Sequence, residues 1–121
     1  MSDYVPKFSP GAAATFTASS SVTGGRLVSV AGGRLVSVAG ADSAAVVGVA
    51  GYDAEAGDTV TVYTRPSGVH SLTASGAIVA GAKVTADAAG KVQTVAALLN
   101  PIGVALEAAT ADLDVIDVLF V

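Results

Sequence analysis

The chain has 121 residues, enough for one domain that buries roughly two-thirds of its surface on folding. Its net charge is −4 and its six basic residues stand singly, so there is no phosphate-tracking patch and nucleic acid is not an expected partner. Cysteine is absent, which rules out disulfides and thiolate metal sites, and 14 glycines with only 5% aromatics suit short strands and tight turns rather than long helices.

Residues 1–21 differ in character from the rest. Tyr4, Pro6, Phe8 and Pro10 alternate with Val5, Lys7 and Ser9, and an Ala/Ser/Thr-rich run follows over 12–21. Two prolines within five residues favour an extended path and argue against a central strand. One reading is an extended N-terminal arm, with Tyr4, Val5, Pro6, Phe8 and Pro10 buried on another molecule. The other is a terminus folded back on its own domain. The start lacks the basic residues and apolar run of a secretory signal, and the apolar stretch 92–106 is broken by Asn100-Pro101 and too short to span a bilayer. A soluble protein with no membrane partner is expected, made where it is used or leaving the cell by lysis.

Residues 24–40 read GGRLVSVAGGRLVSVAG, an octapeptide written twice. Each copy has strand composition, at 26–31 and 34–39. Gly32 and Gly33 between them can both take φ > 0, as a type I′ hairpin turn requires, and would set Val30 opposite Leu35 and Leu27 opposite Val38. Both faces of such a hairpin are apolar, which places it inside a barrel or at an interface. A slip by one whole repeat would keep every side chain on its face, so only the turn and flanks choose the pairing. The alternative is a duplication that merely lengthened a loop.

Further strands are expected at 46–50, 59–64, 69–74, 83–86, 91–95, 102–106 and 114–121, with turns at 52–58, 66–68 and 87–90. In TVTVYT, Val60 and Val62 share one face and Thr59, Thr61 and Tyr63 the other. The stretch 107–113, EAATADL, contains good helix formers and predicts one or two helical turns.

A second periodicity is fainter. Setting Val22 against Val79 aligns Leu27 with Val84 and Gly33 with Gly90, an offset of 57; an offset of 55 then sets Val47-Gly48-Val49-Ala50 against Ile102-Gly103-Val104-Ala105 and Val60 against Val115. The expected fold is therefore all-β: a single domain over 22–121, a small barrel or sandwich of short strands, built from two pseudo-repeated modules at about 22–64 and 79–121.

Motifs for catalysis are sparse. The chain has no GxSxG elbow, P-loop or HExxH, and His70 is its only histidine. Asp42-Ser43-Ala44 has the form of the tripeptide that small dimeric aspartic proteases place on a loop, but Asp-Ser is also ordinary turn chemistry. Asp53, Glu55 and Asp58 cluster, as do Asp112, Asp114 and Asp117, without a complete Ca²⁺-loop pattern. They read as solvated turns, with a weak metal site as the alternative. No cofactor, metal or catalytic residue is expected.

YVPKFSPG, then VTGGRLV, GVAGYDAEAGDTVTVYT, GVHSLTASGAIVAGAKV and a closing NPIGVALEAA…DVIDVLF resemble, in order and over nearly the whole chain, the small capsid decoration (cement) proteins of tailed bacteriophages. The doubled RLVSVAG departs from that pattern. The resemblance implies a β-barrel or β-tulip with an extended N-terminal arm and no enzymatic activity. It also implies homotrimers on the outside of the expanded head at threefold and quasi-threefold axes, clamping the major capsid protein against the pressure of packaged DNA. Such a protein is made in the bacterial host cytoplasm and resides in the virion. A head fibre or tail component is the alternative.

Overall fold

Period-two alternation of buried and exposed residues organises the chain. The computed structural model describes residues 13–65, 68–95 and 100–121, and within them it contains ten strands and no α-helix. The first five are β1 (Ala13–Ala18), β2 (Leu27–Gly32), β3 (Leu35–Val38), β4 (Val46–Ala50) and β5 (Thr59–Thr64). They form a closed barrel in the order β1-β3-β2-β4-β5. The second five are β6 (Val69–Thr73), β7 (Lys83–Ala86), β8 (Val92–Thr94), β9 (Gly103–Ala105) and β10 (Val115–Phe120), in the order β6-β10-β9-β7-β8. In β5, Val60 and Val62 are fully buried while Thr59 and Tyr63 face outward, as the alternation predicts.

β1 lies within the stretch expected to be an arm. It pairs along its length with β5, from Ala13↔Tyr63 to Thr17↔Thr59, and Phe16 packs against the barrel core. The small Ala and Thr side chains of this run fit the crowded seam of a small barrel. β1 is therefore part of the barrel, and Tyr4, Val5, Pro6, Phe8 and Pro10 lie outside the described residues.

The doubled octapeptide does form a hairpin, but its register differs by one residue from expectation. Val28 pairs with Val38, Ser29 with Ser37 and Val30 with Val36, and an irregularity follows before Gly32 pairs with Leu35. The extra residue is Ala31. The turn consequently falls on Gly33-Arg34, and Arg34, not Gly32 or Gly33, adopts the left-handed φ of 55°. That conformation is held by the Arg34 side chain, whose guanidinium donates to the Thr15 carbonyl and lies 5.0 Å from the centre of the Phe16 ring. Identical residues of the two copies meet different surroundings: Leu27 and Ala39 are fully buried, whereas Leu35 is half-buried and Ala31 exposed.

The two sheets are versions of one unit. Read from the other end, the second sheet runs β8-β7-β9-β10-β6, which matches β3-β2-β4-β5-β1 strand for strand. The pairs Val28↔Val38, Ala50↔Val62 and Ala18↔Val36 recur as Val84↔Thr94, Ala105↔Val118 and Ala74↔Val92. The offset is thus 56, or 55 within β4, rather than the expected 57 and 55. The error of one residue matters because it exchanges faces: Val22 is 3% exposed and its expected counterpart Val79 is 75% exposed, whereas Ile78 is 3% exposed. The repeat also starts earlier than expected, because β1 corresponds to β6.

All eight buried residues of the barrel's core cluster have a buried counterpart in the second sheet, from Ala18 and Ala74 to Val62 and Val118. The larger cluster adds Leu27, Ala39, Val46 and Val49 from the outside of the barrel, so the first module packs its outer surface against the interior of the second. Gly48 and Gly103 occupy equivalent positions, where an added Cβ would run into the main-chain oxygens of Tyr63 and Leu119.

No helix forms at 107–113. Ala109 instead bridges to Ile78, and the Asp114 carboxylate accepts the N–H groups of Thr110 and Ala111 at 2.8 and 3.2 Å, which commits those donors to a turn. Leu113 there has φ 72°, where the first module has Gly57 at φ 90°. A left-handed non-glycine residue costs about 1–2 kcal/mol, and glycine adds about 0.4–1 kcal/mol of unfolded-chain entropy. Leu113→Gly is therefore expected to raise stability by about 0.5–1 kcal/mol in chemical denaturation, and Gly57→Leu to lower it by about as much. A loss of stability in Leu113→Gly would overturn the strain argument.

Candidate interaction surfaces

The outer face of the second sheet carries an apolar row. Val69, Leu119 and Val104 lie side by side across β6, β10 and β9, with Lys83 of β7 at the end. Beside them, the Ser71 hydroxyl donates to Asp117 at 3.0 Å, and Val115 lies opposite Thr73. Val69 and Val115 are more than half exposed, at 51% and 63%. The same face of the barrel is built differently: the positions equivalent to Val69, Val115 and Leu119 hold Ala13, Thr59 and Tyr63. At these positions the second module is the more apolar, and a row of exposed apolar side chains is the kind of surface that marks a contact site.

Polar groups gather at the junction of the modules. Asp42, at φ 52°, accepts the Asn100 N–H at 2.8 Å and lies 3.2 Å from the hydroxyl of fully buried Thr85, which also lies 2.8 Å from the Asn100 carbonyl. Its own N–H donates to the Ala86 carbonyl. The residue with the protease-like context is thus a clasp between the β3–β4 loop and the second module. Arg65 makes a second clasp, donating to the carbonyls of Val46, Pro101 and Val121. Sequence reading registered Asn100-Pro101 only as a strand breaker and missed Thr85 and Arg65, because their partners lie 15 to 58 positions away.

His70 sits at the same junction, its ring centre 4.9 Å from Phe120 and 6.3 Å from Tyr63. Burial lowers its pKa below the ordinary 6.5. Asp53, Glu55 and Asp58 line an open pocket of about 400 Å³ together with Ser21, Val22, Thr23 and Ala54. Asp58 accepts the Glu55 N–H and closes a turn, while Asp53 accepts the N–H of Gly24, 29 positions away, and ties two loops together. Among the described residues, no group of three or more acids or histidines is placed to hold a metal, and no helix is long and apolar enough to cross a membrane.

The chain is thus two fused β units joined by part-buried polar clasps, the second carrying an apolar row on its outer sheet face. A family model for phage cement protein matches residues 8–120, and the chain belongs to that family. It is a capsid-associated structural protein of a phage, and its place is the virion. The head fiber gp8.5 N base of bacteriophage phi29, a solved structure, superposes with a TM-score of 0.75 over 91% of this chain and 93% of that chain, at 22% identity. The two share a fold. No curated protein matches.

Hydrogen bonds to a carboxylate contribute about 1.5–3 kcal/mol each where they are sheltered. Asp42→Ala is therefore expected to lower unfolding free energy by about 2–4 kcal/mol, and Asp42→Asn, which keeps an acceptor and tolerates positive φ, by about half as much. Equal losses from the two would refute the clasp.

Acid should weaken the fold in two steps. For His70 the folded-state pKa lies below 6.5, so its contribution is complete above pH 6.5 and is lost as pH falls through the lowered value. Asp87 and Asp114 are both lowered from 3.8. For Asp87, burial acts upward but is outweighed by hydrogen bonds from Ser75, Ala89 and Lys91 and by the Lys91 charge; for Asp114, the N–H and hydroxyl of Thr110 and the N–H of Ala111 dominate. Their contributions are present above pH 3.8 and disappear as pH falls through the lowered values. Thermal unfolding across pH should show both steps, and His70→Gln should remove the upper one alone.

Proposed function

We propose that this chain decorates the outside of the expanded phage head, binding the major capsid protein as a homotrimer at threefold and quasi-threefold positions and bracing the shell against the pressure of packaged DNA. The family match over residues 8–120 is the observation that carries this reading. The surface chemistry suits it. The row Val69–Leu119–Val104 offers apolar area for subunit or shell contacts, and many copies on one lattice turn weak single contacts into strong attachment. No convergent catalytic group is required.

The N-terminal segment provides the second contact. Pro6 and Pro10 share one parity, so a strand made by this segment keeps the N–H groups of Val5, Lys7 and Ser9 for pairing with an exposed sheet edge. Tyr4 and Phe8, on the proline parity, then fill shallow pockets of the capsid protein. A head fibre base is the second reading, favoured by the fold shared with the phi29 fibre base.

Co-sedimentation with expanded, undecorated capsids of its own phage separates the two. Saturation near one copy per major capsid subunit is expected, and a handful of copies per particle would favour the fibre reading. Because β1 is part of the barrel, the informative truncation removes residues 1–12 only. That protein should stay folded and bind at least about tenfold more weakly, the loss expected for two aromatic anchors. Unchanged binding would remove the arm from the reading.

A further inference from the structure

The contact between the two modules has two halves, and each module carries both. One half is the outer face made by Leu27, Ala39, Val46 and Val49, which the first module buries against the second. In the second module the equivalent positions are Lys83, Val95, Pro101 and Val104, and none of them is fully buried. The other half is the end of the second unit at the β7–β8 turn. There the Gly90 carbonyl accepts the Leu27 N–H at 2.9 Å, the Ala89 carbonyl accepts the Arg26 guanidinium at 3.2 Å, and Ala86 is fully buried. In the first module the equivalent end is the β2–β3 turn, where Val30, the counterpart of Ala86, is 43% exposed. A chain with one copy of an interface used internally and its two halves repeated at opposite ends is built to continue head to tail without limit.

Two substitutions within the repeat act against this. Leu27, at the centre of the internal contact and fully buried, is replaced by Lys83 on the open face. Gly90 is so close to its neighbour that a Cβ there would lie 2.8 Å from Val38 Cγ1, and its counterpart at the open end is Arg34. A second copy seated in the same way would bring Arg34 against Lys83 and Thr94. It would crowd a side chain into a space sized for glycine, bury an ammonium where an aliphatic group belongs and place two positive charges together. Both residues are exposed, and Arg34 is kept over its own Phe16 ring.

We propose that Lys83 and Arg34 are guards that stop copies of this chain from polymerising through a repeat of their own module junction. The partner being refused is a second copy of the same chain. This goes beyond the decoration reading and does not depend on it: a chain that carries both halves of one interface has to be kept from pairing with itself whatever it later binds.

The test is sedimentation velocity across a hundredfold range of concentration, on the full chain. Lys83→Leu/Arg34→Gly is expected to form open-ended assemblies whose mean size rises with concentration, while the wild type keeps one concentration-independent size. Lys83→Leu alone changes only an exposed position and leaves the Arg34 contacts in place, so it folds whether or not the double variant does. It should strengthen self-association at least tenfold. Adding Val104→Glu should disperse the assemblies. Wild-type behaviour of Lys83→Leu, or assemblies that survive Val104→Glu, would overturn the proposal. Capsid binding of the same variants is read separately, so a failure of the decoration reading leaves this result interpretable.

Discussion

Leu27 and Val28 are adjacent in sequence, and neither has any exposed surface. They point to opposite faces of β2, Val28 into the barrel and Leu27 into the cluster shared with the second module. The rest of the architecture depends on this double burial. A strand covered on both sides fixes where the barrel ends and its neighbour begins, and burying each aliphatic side chain contributes about 1.5–3 kcal/mol. β4 achieves the same with a bulge: its register against β2 shifts around Val47, so that Val46 and Val49, three residues apart, reach the same cluster. Two small units whose interiors are mostly Ala and Val gain a larger common core in this way, with Phe120 its one aromatic among the described residues.

Local pattern and long-range pairing were legible to different degrees. Strand positions could be read directly, because Val60 and Val62 against Thr59, Thr61 and Tyr63 leave one assignment of faces. The hairpin was legible as a hairpin but not in register. Gly32-Gly33 offered a symmetrical turn, and nothing local announces that Ala31 is bulged or that Arg34 takes the left-handed position, since its support comes from Thr15 and Phe16 across the barrel seam. The repeat was legible to within one residue for a related reason. In a chain this rich in Ala, Gly and Val, offsets of 55, 56 and 57 all produce matches, and only burial separates Ile78 from Val79.

The polar clasps were the least legible feature. Asp42 was visible as an unusual aspartate, and its local context suggested either chemistry or a turn. Its partners Thr85 and Asn100 lie in the other module and carry no local mark. Arg65 looked like a lone basic residue after a strand, yet it gathers three carbonyls from three separate segments. Groups satisfied by distant backbone oxygens leave no spacing signal, because any residue supplies a carbonyl.

Comparison of the modules locates what selection has to hold and what it can change. Their interiors correspond position by position, as packing at constant volume requires. The closures have diverged: β1 and β3 share two ladder pairs backed by the Arg34 side chain, while the second unit closes through the single bridge Ala74↔Val92 with Gly90 at the corresponding turn. The outer faces have diverged in use more than in kind: the first barrel seats Leu27, Ala39, Val46 and Val49 on the second module, while the second carries Val69, Leu119 and Val104, with Lys83 at the position of Leu27. The apolar outer surface of the first barrel is thus taken up by the module junction, whereas that of the second stays at the surface, where it costs solubility and adds nothing to either interior.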